Sequence, residues 1–89
     1  MSSREKVIKD FLNVEISKNK KYKDFLRLTS VLGLTKKEGS GSREKWYKNG
    51  RAVLSLHFPH GKSSLGLGRA KDIKKMILNL IKEGYVEIH

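Results

Sequence analysis

The apolar positions of this chain change period along its length, and the changes mark out its elements. Val7, Ile8, Phe11 and Leu12 share one face of a short first helix. Ser2 and Glu5 stand ahead of it at the spacing of a capping box. The pattern assigns nothing to residues 13–17, and the polar run Lys18-Asn19-Lys20-Lys21 reads as a hinge. From 21 to 32, Tyr22, Phe25, Leu26, Thr29 and Leu32 recur at helical spacing. Gly33 follows as the residue that closes a helix with positive φ, and Leu34 is placed to fold back on the last turn.

The middle of the chain alternates instead. Lys36-Lys37-Glu38 closes a short strand, and Gly39-Ser40-Gly41-Ser42 is a turn. Residues 43–47 read as a second strand. Asn49-Gly50 is a strong hairpin signal, and residues 52–58 are the return strand. On that strand Ala52, Leu54, Leu56 and Phe58 are expected to face the core, with Val53, Ser55 and His57 on the other side. Trp46 and Tyr47 must point to opposite faces, so one belongs to the core and the other is left to stack or to meet a partner.

Pro59 ends the strand, and a Gly- and Ser-rich loop over 60–68 leads to the clearest helix of the chain. Ile73, Met76, Ile77, Leu80 and Ile81 fall at i, i+3, i+4, i+7 and i+8, and Gly84 stops the run. Residues 85–89 leave room for a short C-terminal strand. The expected class is α+β: an α-β-β-β-α core, with a three-stranded antiparallel sheet and both major helices on one face. Residues 1–19 read as an N-terminal helical extension and 20–89 as the domain proper.

Charge then changes the picture. Twenty Lys and Arg oppose nine Asp and Glu, a formal net charge of +11 on 89 residues. Self-repulsion of that size is relieved by a polyanion, and nucleic acid, RNA before DNA, is the simplest one. An acidic protein or acidic lipid surface is the alternative. No apolar run approaches the roughly 20 residues that cross a bilayer, the first residues lack the apolar stretch of a secretory signal, and there is no cysteine. A cytoplasmic protein without a membrane partner is therefore expected. Three scattered histidines make no metal-ligand constellation, and no cofactor is assigned.

The candidate binding residues cluster around the second strand and the last helix. Lys62 and Arg69 flank the Gly-rich loop at the start of that helix, where free amides and the helix dipole favour phosphate. Ser63 and Ser64 are hydrogen-bond donors there, and the spacing is not that of a nucleotide-hydrolysing phosphate loop. Lys71, Lys74 and Lys75 lie on the polar flank of the helix. Lys45 and His57 join the RNA-contact set from the strands, His57 on the side away from Leu54 and Leu56.

Several pieces in order resemble one family. Lys23-Asp24-Phe25-Leu26-Arg27-Leu28 with Leu32-Gly33-Leu34, Gly41-Ser42-Arg43 before Glu44-Lys45-Trp46, Pro59-His60-Gly61-Lys62, and Gly68-Arg69-Ala70-Lys71-Asp72-Ile73 are similar to the HicA toxins of bacterial toxin–antitoxin pairs, over roughly residues 20–80. The resemblance implies a double-stranded-RNA-binding-like fold, metal-independent mRNA cleavage and a HicB-like antitoxin as protein partner.

One departure bears on the chemistry. Arg43 stands where the family keeps its catalytic histidine. A neutral imidazole accepts a proton near neutral pH, whereas a guanidinium keeps its own and instead grips phosphate in a bidentate way. Three accounts follow. The protein is an RNA binder that does not cleave; or Arg43 is a disabling change in a toxin; or another histidine, His60 or His57, serves as the base. A fourth reading, different in kind, is a small basic inhibitor or adaptor that docks on another protein's nucleic-acid site.

Overall fold

A computed structural model describes residues 3–37, 43–58 and 63–87. The chain forms α1 (Ser3–Leu12), α2 (Val14–Ser17), α3 (Tyr22–Leu32), β1 (Thr35–Lys37), β2 (Arg43–Lys48), β3 (Arg51–His57) and α4 (Gly66–Lys82). The strands make one antiparallel sheet in the order β1-β2-β3. The class is therefore α+β, with the α-β-β-β-α order running from α3 to α4.

α1 buries Ile8 and Phe11, as its apolar face predicts, and packs against both α3 and α4. Ser2, the expected cap, lies outside the described residues. Residues 13–17, which the pattern left open, form a single helical turn started by Asn13, whose side chain accepts the Glu15 amide at 3.1 Å. The polar run at 18–21 is tied down. The carbonyls of Lys18 and Lys20 accept the amides of Gly66 and Leu65, and Lys21 bridges to Ser64, so the start of α4 is sewn to the end of α2. Segments 1–19 and 20–89 thus share one core.

α3 ends in a complete Schellman closure. Gly33 adopts φ 70°, its amide reaches the Ser30 carbonyl, and the Leu34 amide reaches the Thr29 carbonyl. The two carbonyls left over are taken by cations: Arg4 donates to Val31 and Lys48 to Leu32, each at 2.9 Å. All four orphan acceptors of the helix end are satisfied, and two positive charges sit on the negative end of its dipole. A Cβ at position 33 would come within 2.8 Å of the Lys48 ammonium nitrogen. The flexible Lys48 stem can give way, but φ 70° cannot suit an L side chain without strain, so Gly33→Ala is expected to lower stability by about 1–3 kcal/mol in urea denaturation. Gly68→Ala, in open space inside α4, should raise it by up to about 1 kcal/mol.

Asn49 and Gly50 both take positive φ, 51° and 79°, as a type I′ hairpin demands. The ladder is not regular, however. Trp46 pairs with Leu54 but Tyr47 with Ala52, which leaves Val53 as the extra residue of a β-bulge. The bulge inverts the alternation beyond it. Ala52, expected in the core, is exposed on the opposite face beside Tyr47, while Leu54 and Phe58 are buried as expected.

The core joins sheet to helices through aromatic rings. Phe25 stacks on Phe58 at 4.4 Å between centroids and meets Trp46 edge-on at 5.6 Å. Ile73, Met76, Ile77 and Leu80 supply the α4 side, and Ile81 lies half-buried at its margin. The C-terminal strand left open by the sequence does not form over 85–87. The Tyr85 amide folds back to the Leu80 carbonyl at 2.9 Å and is used in closing α4, and Val86 tucks against the core. Among the described residues no helix is long and apolar enough to cross a membrane.

Candidate nucleic-acid interface

Among the described residues, the helices cover one face of the sheet and leave the other to solvent. Pairing and pleat place three cross-strand rungs on that open face: Thr35–Tyr47–Ala52, Lys37–Lys45–Ser55, and Arg43–His57. None of these residues is acidic. Lys37 and Lys45 are directly opposed, a like-charge pair that weakens a ladder. Neither makes an ion pair among the described residues, and Lys37 leans instead over the Tyr47 ring, its nitrogen 4.9 Å from the centroid. Arg43 lies across the strand, its guanidinium donating to the Ser55 carbonyl at 3.1 Å and the Ser55 hydroxyl at 3.4 Å.

The acid of β2 is turned the other way. Glu44 faces the helices, where its carboxylate accepts the Tyr22 hydroxyl at 2.7 Å and the Trp46 indole N–H at 3.1 Å. That arrangement satisfies two polar groups at the rim of the core and keeps negative charge off the open face. The carboxyl of Glu15 is held below its ordinary range by the hydrogen bond and charge of Lys18, whose nitrogen is 2.8 Å away. It belongs to α2 in the helical layer.

The structure divides the residues singled out in the sequence. Arg43, Lys45 and His57 come together on the open face. Lys71, Lys74 and Lys75 lie on α4, behind the sheet; Lys75 lines a groove beside the β3 edge with Asp72 and Asn79. Arg69 is engaged structurally. It donates to the carbonyls of His57 and Leu65, pinning the first turn of α4 to the end of β3. Ser63 is exposed ahead of Leu65. His60 and Lys62 lie outside the described residues. The described candidates are therefore divided between the layers, Arg43, Lys45 and His57 on the sheet and Lys71, Lys74 and Lys75 on α4.

Lys37 is the residue that sequence reasoning missed. Its place on the face depends on how β1 registers against β2, which no local pattern encodes. Among the described residues no three His, Cys, Asp or Glu side chains are grouped to hold a metal ion. No family model, curated protein or solved structure matches the chain.

Proposed function

We propose that this protein binds RNA in the cytoplasm through the open face of its sheet, as a relative of HicA toxins that lacks their histidine-dependent cleavage. The Lys37–Lys45 rung supports this reading best. Two lysines paired across adjacent strands weaken the ladder of the free protein, and a phosphate backbone across them turns that cost into attraction. Arg43, one rung away, donates to Ser55 through one terminal nitrogen only and adds a guanidinium suited to phosphate at the position where cleavage would need a base. A HicB-like protein would be the partner that covers the basic surface.

Salt titration tests the proposal. Three phosphate contacts on a single strand predict a slope of log affinity on log salt of about −2. Replacing Lys37, Arg43 and Lys45 together by Ala should flatten the slope by about that amount. A salt-independent affinity, or a slope untouched by the triple variant, sinks the reading and favours the adaptor instead.

Cleavage is the second reading, favoured by one pairing. His57 stands directly across from Arg43, so an imidazole able to take a 2′-hydroxyl proton neighbours a guanidinium able to hold the phosphate. Metal-free RNA scission that disappears in His57→Ala would support it. Intact RNA after prolonged incubation with the wild-type protein would remove it.

A further inference from the structure

We infer that the ligand of the open face is single-stranded RNA, with one base stacked on the ring of Tyr47. The inference rests on the RNA-binding reading and narrows it to a strand whose bases are unpaired.

Tyr47 is the middle residue of its rung, with Thr35 on one side and Ala52 on the other. Both neighbours are shorter than a phenol ring, so the half-buried ring rises above a low shelf. The bulge at Val53 makes this shelf: with regular pairing, Val53 would lie opposite Tyr47 and crowd it. The Lys37 ammonium lies 4.9 Å from the centroid, over the π-face rather than at the ring edge. An exposed cation–π contact is weaker than stacking of a base on an aromatic side chain. A base can therefore take the place of the ammonium, and Lys37 is left beside it to meet the phosphate.

The cations are spaced for a strand running along β2. Arg43, Lys45 and Tyr47 follow one another at two-residue steps, about 7 Å apart along the strand. Flexible Lys and Arg stems adjust from that step to successive phosphates. A duplex does not suit this surface. Its base faces are hidden within the stack, and A-form RNA is read across its grooves by protruding elements rather than by a sheet. The described part of the open face is a sheet with one presented aromatic ring.

Fluorescence anisotropy on the full chain tests this, with a labelled RNA of roughly 12 nucleotides, single-stranded or annealed to its complement, at one salt concentration. Single-stranded RNA should bind more tightly. Tyr47→Ala should weaken its binding about 5- to 100-fold, while Tyr47→Phe retains it. Duplex binding, carried by phosphate contacts, should not respond to Tyr47→Ala, and that arm also reports that the variant is folded. Equal losses on both RNAs, or no loss on either, overturn the inference while leaving RNA binding itself standing. Failure of the wild-type protein to bind either RNA overturns the RNA-binding reading, and this inference falls with it.

Discussion

Phe11→Ala is expected to destabilise the protein by about 3–5 kcal/mol, seen as a shift of the urea midpoint at unchanged m-value. Phe11 is 1 % exposed and lies in the same cluster as Phe25, Leu28, Leu65 and Ile73. Removing its ring leaves a void bounded by α3 and α4, which are themselves pinned to the sheet and cannot collapse inward freely. A domain of 89 residues has a stability near the lower part of the usual 5–15 kcal/mol, so this one change consumes a large share of it. Leu26→Ala, on the same helical repeat as Phe25 but 38 % exposed, should cost far less. The same reasoning extends to truncation. A chain of residues 20–89 loses Ile8 and Phe11, and it also loses the Lys18 carbonyl that holds the Gly66 amide. It should show no cooperative unfolding transition. A cooperative transition at near wild-type stability would mean that α1 and α2 are an appendage after all.

What was legible in the sequence is what local chemistry decides. Gly33 after Leu32, Asn49-Gly50 between alternating runs, and the stripe from Ile73 to Leu80 each specify their own conformation within a few residues. The helix ends, the hairpin and the buried face of α4 follow from them. The pleat also places Arg43, Lys45 and Tyr47 on one side of β2 without knowledge of any neighbour. The remainder depends on partners distant in sequence. The bulge at Val53 is a property of how two strands register, so reading β3 by itself puts Ala52 in the core. Lys37 reaches the open face only through its pairing with Lys45. Arg69 has the composition of a phosphate contact, but a backbone carbonyl 12 positions earlier takes its guanidinium. Arg4 and Lys48 look like surface charge and instead close the end of α3. Basic composition points to a polyanion without telling which cations face it, because long side chains serve helix ends as readily as phosphates.

Lys45→Glu should move stability and RNA affinity in opposite directions. In the free protein the substitution removes a like-charge rung and sets an acid opposite Lys37, which should add about 0.2–1 kcal/mol to the fold. At the proposed RNA interface it would delete one phosphate contact and add a repulsive charge beside Arg43 and Tyr47, so affinity should fall on the order of 10- to 100-fold at low salt, with the salt slope reduced by about one. The double variant Arg43→Glu, Lys45→Glu should abolish measurable binding while the protein remains folded. Paired measurement of thermal midpoint and RNA affinity separates this from simple damage. A destabilised fold lowers both quantities, whereas a face whose charges are retained for a ligand gains stability as it loses binding. If Lys45→Glu raises the midpoint and leaves RNA affinity unchanged, the opposed lysines serve some other partner. If it lowers the midpoint, the rung is relieved in the free protein by the Tyr47 ring more fully than its geometry implies, and the cost on which the RNA reading depends is not there.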